Sequence, residues 1–267
     1  MSLPEYEVFA VRMGTVERNA RDNFLAGDGH DGPMPLDFYI WVLRHDDHLV
    51  VVDTAFSEHS SRRRNRTLEV TPEQAVSALG HDPRTVDDLI ITHLHYDHAG
   101  GLQCFPQAPI HLQDREMAFA TGRQMCHPQL SHFFEVEDVV RMVREVFAGR
   151  ARFHDDCADL APGLSVHRIG GHTDGLQVVR VHTRRGWLVL ASDAAHYYEN
   201  LESDNPFPAI FHVGDMLEGY ATIKELAASA EHIIPGHDPA VRERYPCLSI
   251  NGIDIAVLHE NPFQTRN

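Results

Sequence analysis

A short stretch near residue 95 constrains this chain more than any other part of its sequence. Within six residues, directly after the apolar run 89–91, it places His93, His95, Asp97 and His98. His93 and His95 alternate as on a strand, so both can point at one metal ion. Asp97 and His98 follow as the chain turns away, and they can face a second ion. Imidazole and carboxylate at this density are typical of a metal site, whereas a polar loop that merely contains three histidines leaves the cluster unexplained.

The charge of the chain argues against nucleic acid as a partner. The formal net charge is −16, with 23 Lys and Arg against 39 Asp and Glu. Phosphate binding requires clustered cations, and the one dense basic run, at 62–66, is most simply a solvated surface. A small anionic ligand is still compatible with this acidity, because bound metal ions would reverse the local field.

The cysteines and the apolar segments predict a cytoplasmic protein. Residues 1–5 lack the basic and apolar regions of a signal peptide. No apolar stretch approaches the ~20 residues that a membrane-spanning helix needs, so we expect no membrane segment. Four cysteines lie far apart without a CxxC pair and indicate free thiols in a reducing compartment: Cys104, Cys126, Cys157 and Cys247.

Apolar patterning predicts layered α/β architecture in a single domain over residues 1–267. Thr71 and Gln74 flank a proline in a capping box, which predicts a helix that Gly80 closes. A second helix is expected to start at Asp215, with Glu218 three residues later. The glycine-rich segment 21–34 predicts a loop. Strands are expected at 6–13, 38–43, 49–52, 88–91, 164–169, 176–181, 187–191, 232–234 and 250–258.

The region 114–150 interrupts this α/β alternation. Helical periodicity is present at 114–122 and again at 135–148, and the residues between them fit neither a strand nor a long helix. We interpret 114–150 as a helical insertion that could serve as a lid or as a pocket wall.

Three later residues complete the ligand set for a pair of metal ions. His172 follows a predicted strand and two glycines, which would let the backbone approach an ion closely. Asp193 ends an apolar run, and His237 follows Pro235-Gly236 after the last core strand. All three lie at the ends of strands, where α/β proteins place their sites, and we therefore predict them as metal ligands.

In this order the seven residues resemble the signature of the metallo-β-lactamase-fold hydrolases, HxHxDH followed by a histidine, an aspartate and a further histidine. The resemblance spans residues 37–240. It implies an αββα sandwich with the metal ions at one edge. It also implies one ion held by His93, His95 and His172, a second held by Asp97, His98 and His237, and Asp193 as the bridge.

Within that superfamily the chain resembles the quorum-quenching N-acyl-homoserine lactonases, through the stretches 95–101, 171–175 and 192–195. This resemblance implies two zinc ions, with iron or manganese as alternatives, and a small-molecule lactone or ester substrate. The two ions would lower the pKa of a bridging water to about 7, and the resulting hydroxide would attack the lactone carbonyl. Related lactonases are often dimers, so a homodimer is compatible with the resemblance.

The chain departs from the lactonases beside the expected substrate carbonyl. Where they usually carry a tyrosine three residues after the bridging aspartate, this chain has His196, followed by Tyr197. We predict that His196 or Tyr197 donates a hydrogen bond to the developing oxyanion. Asp97, both ligand and carboxylate, can carry a proton to the leaving group. Asp53 can contact a ligand histidine and orient it.

Other functions of the same fold stay open from the sequence alone. A glyoxalase-II-like thioesterase shares all seven ligands but usually has a tail longer than the 30 residues that follow His237. A hydrolase of another ester or of a cyclic amide also fits. A nuclease would need a basic surface, and a flavodiiron reductase would have glutamate at the second motif histidine and a flavin domain. A binding or sensing protein with an inactive site would usually have lost a ligand.

Overall fold

The computed structural model describes residues 3–27 and 32–263, and within them two β-sheets pack face to face between helices. The spatial order in the first sheet is β12 (Cys247–Ile250), β13 (Ile253–Val257), β1 (Glu7–Val16), β2 (Leu36–His45), β3 (His48–Val52), β4 (Asp88–Ile90), β5 (Ile110–Gln113) and β6 (Ala151–His154). The order in the second sheet is β11 (Ile233–Pro235), β10 (Gly186–Ser192), β9 (Gln177–Thr183), β8 (Leu164–Arg168) and β7 (Cys157–Ala161).

The helices connect these strands and cover the outer faces of the sheets. Among those in the described residues, none combines the length and the apolar character that crossing a membrane requires. In chain order they are α1 (Glu58–Arg64), α2 (Pro72–Ala78), α3 (Tyr96–Ala99), α4 (Asp114–Ala120), α5 (Pro128–Ser131), α6 (Val136–Phe147), α7 (Tyr198–Glu202), α8 (Val213–Leu226) and α9 (Ala240–Arg244).

Three hydrophobic clusters correspond to the spaces between the layers. Alternate residues of β1 point to opposite faces of the sheet, as the pleat requires. Phe9 and Val11 therefore pack in the cluster that includes residues of α2, α4 and α6, whereas Val8 and Ala10 pack between the two sheets. A third cluster joins the second sheet to α8. The αββα sandwich that the resemblance implied is confirmed by this layering.

Strand direction brings the loops of the site to one edge of the sandwich. β3, β4 and β5 are parallel to one another, and so are β10 and β11. β8 and β10 both pair antiparallel with β9, so they run in the same direction. The carboxyl ends of β4, β8, β10 and β11 consequently lie at a common edge, and each is followed by predicted ligands.

Most of the element predictions are confirmed, and one is wrong. The capping box at Thr71 is present, and β2 and β3 form the predicted hairpin. α8 does not begin at Asp215: His212 caps it three residues earlier, because its extended backbone lets Nδ1 accept the Asp215 backbone N–H at 3.0 Å. The strands β5, β6, β7 and β12 were not predicted. Part of the predicted loop, 28–31, and the chain ends 1–2 and 264–267 lie outside the described residues.

The helical insertion lies between β5 and β6 and packs on the histidine motif. The backbone N–H of Tyr96 donates to the carbonyl of Phe133 at 2.9 Å, and His95 forms an isolated β-bridge with Phe134. Arg63 of α1 pairs with the buried Glu135 at 2.8 Å. These contacts make the insertion one wall of the site, while its action as a lid stays a prediction.

One buried carboxyl in the insertion makes its stability depend on pH. Asp138 in α6 is buried, and one of its oxygens has no hydrogen-bond partner in the described residues. Burial, followed by the neighbouring Glu135, raises the pKa of Asp138 to about 7. A carboxyl whose pKa is higher in the folded than in the unfolded chain keeps its proton up to a higher pH in the folded chain. The folded state therefore loses stability as pH rises from about 4 to about 7.

We predict that Asp138→Asn raises the Tm by about 3 °C or more at pH 8, because the variant never carries the buried charge. At pH 5 the gain should fall to less than half, since Asp138 is then largely protonated in the folded protein. Thermal unfolding at both pH values measures the effect. Glu225→Gln, an exposed position in α8, is the control and should show no such pH dependence. An equal gain at both pH values would contradict the prediction.

Candidate metal centre

The loops at the common edge bring all seven predicted ligands together. All are buried except Asp97, which is partly exposed. The candidate ligand atoms fall into overlapping groups, within each of which every atom lies within 4.8 Å of the others. These groups are His93, His95, His172 and Asp193; Asp97, His98 and His237; and Asp193, His196 and His237.

The carboxylate of Asp193 is the centre of this arrangement. Its Oδ2 lies 3.1 Å from Nε2 of His172 and 3.8 Å from Nε2 of His93. Its Oδ1 lies 3.1 Å from Nε2 of His98 and 2.9 Å from Nε2 of His237. Each oxygen thus faces one of the two groups that the resemblance implied, which is the arrangement that a bridging carboxylate needs.

Backbone carbonyls determine which nitrogen of two imidazoles carries the proton. Nδ1 of His172 donates to the carbonyl of Ala209 at 2.6 Å, and Nδ1 of His237 donates to that of Asp37 at 2.7 Å. A carbonyl oxygen can only accept, so both protons lie on Nδ1. In the neutral imidazole, Nε2 then presents a lone pair towards Asp193.

Asp53 orients a third imidazole. Its Oδ2 accepts from Nδ1 of His98 at 2.8 Å, and its Oδ1 accepts from the backbone N–H of Thr92 at 2.8 Å. The Thr92 hydroxyl donates to Oδ2 at 2.9 Å. The structure thus contains the predicted contact between Asp53 and His98, a candidate ligand, and such partners commonly fix the orientation of metal-binding histidines.

The lone pairs at the centre require positive charge between them. A carboxylate and a neutral Nε2 are both acceptors, so they approach to about 3 Å only with a proton or a cation between them. In the described residues, the buried Nε2 atoms of His93 and His98 also make no hydrogen bond. The set of imidazoles and carboxylates without a thiolate suits zinc, iron or manganese. The residues present thus fit two divalent metal ions.

The pKa shifts differ between the two groups of candidate ligands. Burial lowers the pKa of His93 and His95 well below the usual value, so both are held in the neutral form that binds metal. Burial also opposes charge on His98 and His237, but the nearby Asp193 outweighs it and raises both pKa values. Burial disfavours ionised Asp193, yet the surrounding histidines keep its pKa well below the usual value.

Glu116 is a residue of the site that the sequence analysis did not identify. Its carboxylate is buried in α4 and accepts three hydrogen bonds: from the backbone N–H of Leu94 at 2.8 Å, the hydroxyl of Thr173 at 2.6 Å and the backbone N–H of Gly175 at 3.2 Å. It therefore joins the motif loop to the loop that carries His172. Its sequence signal is spacing, because position 116 lies on the same helical face as the buried Phe119 and Ala120.

The glycines beside His172 allow close packing of its loop, while the approach of its backbone to an ion stays a prediction. Gly171 has a φ of +83°, which favours glycine, and an added Cβ would lie 2.6 Å from the backbone N of Met216 in α8. Gly175 is equally restricted, since a Cβ there would lie 2.1 Å from the backbone N of Glu116. These glycines let the His172 loop lie directly against two helices.

A cavity of about 260 Å³ opens onto the centre. Of the two predicted oxyanion donors, only His196 is among the residues that line this cavity. His196 lines it: Nε2 lies 3.1 Å from Oδ2 of Asp193, and the ring stacks on Phe207 at 3.8 Å with an interplanar angle of 5°. Tyr197 is not among the lining residues. Its hydroxyl donates to the carbonyl of Pro35 at 3.2 Å, away from the centre.

Known proteins resemble this chain in sequence and in fold. The family model of the metallo-beta-lactamase superfamily matches residues 38–237. An N-acyl homoserine lactonase of a Bacillus species is 26% identical over 221 residues, which cover 76% of this chain and 82% of that protein. A solved N-acyl homoserine lactone hydrolase, with the product N-hexanoyl-L-homoserine bound at its catalytic metal center, gives a TM-score of 0.74 at 21% identity and covers 91% of this chain and 96% of that one. A solved dizinc quorum-quenching lactonase gives a TM-score of 0.71 at 16% identity and covers 100% of this chain and 97% of that one.

We predict that Glu116→Ala lowers the free energy of unfolding by about 2–4 kcal/mol, because three buried donors lose their acceptor. Metal affinity should also fall by about tenfold or more, since the two ligand loops lose their connection. Chemical denaturation and metal titration measure the two effects. Asp114→Ala, an exposed acidic position in the same helix, is the control. Unchanged metal affinity in Glu116→Ala would contradict the positioning role.

Proposed function

Because this chain belongs to the metallo-beta-lactamase superfamily and is a metal-dependent hydrolase, we propose that it opens a lactone ring. The substrate class is N-acyl-homoserine lactones or similar lactones. The observation that carries the proposal is the Asp193 carboxylate facing four imidazoles at the floor of an open cavity. The similarity to N-acyl homoserine lactonases over three quarters of the chain supports lactones over other esters.

The candidate centre would hold two ions, for which we propose zinc. His93, His95 and His172 would bind one and Asp97, His98 and His237 the other, with Asp193 between them. When bound, such a pair of ions supplies a hydroxide nucleophile near neutral pH and polarises the carbonyl of the substrate. The protein holds these side chains in position through the Nδ1 contacts of His98, His172 and His237.

Asp97 is suited to move a proton within the cavity. It is the partly exposed member of the ligand set, and it lines the cavity directly. Its Oδ2 lies 3.9 Å from Nε2 of His98, so this carboxylate is not held by a close ion pair there. We propose that Asp97 receives the proton that the attacking hydroxide still carries and gives it to the leaving alkoxide, so that the ring-opened hydroxy acid is released as its carboxylate.

His196 is the better placed of the two predicted oxyanion donors. Burial lowers the pKa of His196 to about 3, so its imidazole is neutral and carries a single N–H. Nε2 lies 3.1 Å from Oδ2 of Asp193, an oxygen that a bound metal would also take. If Oδ2 of Asp193 bound a metal ion, the N–H of His196 would be free to donate a hydrogen bond to a substrate carbonyl in the cavity.

The proposed function is tested by metal analysis together with a substrate panel. We expect about two metal ions per chain, loss of activity on chelation and recovery with zinc, iron or manganese. Turnover of acyl-homoserine lactones should exceed that of thioesters, cyclic amides and other esters. His93→Ala should lose metal and activity, whereas His59→Ala, an exposed histidine of α1, should retain both. Fast thioester cleavage without lactone turnover would overturn the proposal.

The oxyanion role is tested by comparing two neighbouring substitutions. His196→Phe retains the stacking on Phe207 but removes the N–H, so we expect kcat for a lactone to fall about 10- to 100-fold. Tyr197→Phe removes a hydroxyl bonded to a backbone carbonyl. It should leave kcat within about twofold and cost about 1 kcal/mol of stability. Unchanged kcat in His196→Phe would remove His196 from the mechanism.

A further inference from the structure

The cavity above the candidate metal centre has a basic wall, in contrast to the acidity of the chain. Arg18, Arg64 and Arg66 all line it, although the protein as a whole carries a net charge of −16. The acidic side chains of the lining are Asp97 and Asp193, both of which belong to the candidate ligand set. With two divalent ions bound, the cavity would be strongly positive.

Arg64, the last residue of α1, is held against the motif. Its guanidinium carbon lies 4.0 Å from the centroid of the Tyr96 ring, and Nη2 donates to the carbonyl of His132 at 2.6 Å. Its Nε is buried and makes no hydrogen bond within the described part of the chain. The guanidinium is therefore fixed in place while part of its hydrogen-bonding capacity is unused.

Arg66 lies beside Arg64 and its side chain contacts the Tyr96 phenol. Its buried Nε also lacks a hydrogen-bond partner in the described residues. Burial and then Asp97 raise the pKa of the Tyr96 phenol, and Arg66 and Arg64 act in the opposite direction. Both guanidiniums are therefore close to Tyr96, the residue between two candidate ligands.

Neither arginine has a carboxylate within ion-pair distance in residues 3–27 and 32–263, unlike their neighbours. Arg62 pairs with Glu58, and Arg63 pairs with Glu135. Partly buried guanidiniums with no carboxylate in contact leave donors free for an anion, and a carboxylate matches their planar donors. The same arginines and His132 line a second cleft that adjoins the cavity, so the basic wall continues from the centre towards the surface.

We propose that the substrate carries a carboxylate remote from the carbonyl that is hydrolysed, and that Arg64 and Arg66 bind it. This inference rests on the proposed function, since it concerns the same cavity. It makes the two arginines specificity-determining residues, which would favour a lactone with an anionic acyl chain over one with a neutral chain of equal length.

A pair of isosteric substrates tests the inference. The first is homoserine lactone acylated by one carboxyl of glutaric acid, which leaves a terminal carboxylate, and the second is its terminal carboxamide. We expect the wild type to prefer the carboxylate by about tenfold or more in kcat/KM, mainly through KM, as for a charge-assisted hydrogen bond. Equal turnover of both would overturn the inference while leaving lactone hydrolysis intact.

Matched variants of the basic run at 62–66 test whether the preference for the carboxylate substrate depends on Arg66. Arg66→Gln should reduce the preference, because Arg64 is left to bind the carboxylate alone, and Arg66→Lys should restore part of it because the charge is retained. Arg62→Gln is the control, since Arg62 is exposed, pairs with Glu58 and does not line the cavity. An undiminished preference in Arg66→Gln would overturn the assignment to this wall.

A binding experiment without metal separates the two proposals. The ring-opened product of the carboxylate substrate and that of the carboxamide are titrated calorimetrically into metal-free protein. The carboxylate should bind about tenfold more tightly to the wild type and to Arg62→Gln, but not to Arg66→Gln. If neither lactone is hydrolysed, the proposed function fails. The titration then tests carboxylate binding by Arg64 and Arg66 on its own. Equal affinities of the wild type for the two products would overturn that inference.

Discussion

The structure of the site depends on a carboxylate removed from water and surrounded by imidazoles. Asp193 directly follows β10, with one oxygen towards His93 and His172 and the other towards His98 and His237. Burying such a charge is unfavourable unless positive charge and fixed dipoles compensate it. The backbone carbonyls of Ala209 and Asp37, and the carboxylate of Asp53, hold the outer nitrogens of three rings. The inner nitrogens are thereby left for a cation.

The sequence was sufficient to predict the parts of this arrangement that are encoded locally. The motif at 93–98, the capping box at Thr71 and the strand ends before Asp193 and His237 are each visible within a few residues. The resemblance to the metallo-β-lactamase-fold hydrolases and the sandwich that it implied are both confirmed, because the resemblance rests on these local motifs. The spacing of the candidate ligands is a property that a single chain displays directly.

Other features depended on partners distant in sequence. Glu116 looked like an ordinary acidic position in a helix, and its meaning comes from Leu94, Thr173 and Gly175, up to 59 residues away. The short strand β5 was missed because its pairing with β4 and β6 defines it more than its own four residues do. The basic run at 62–66 was similarly taken for solvated surface. The fold instead places Arg64 and Arg66 in the lining of the cavity, which the sequence alone does not reveal.

The hydrogen bonds of Glu116 have a consequence for how proteins of this fold can diversify. The segment between β5 and β6 supplies a wall of the cavity, so it is a natural region in which to vary specificity. Its first helix nevertheless carries the group that joins two ligand loops. A transplant of the whole segment from another protein would remove that joint, whereas one that begins after Ala120 would preserve it. The exchangeable module of this scaffold is therefore shorter than the insertion that its sequence delimits.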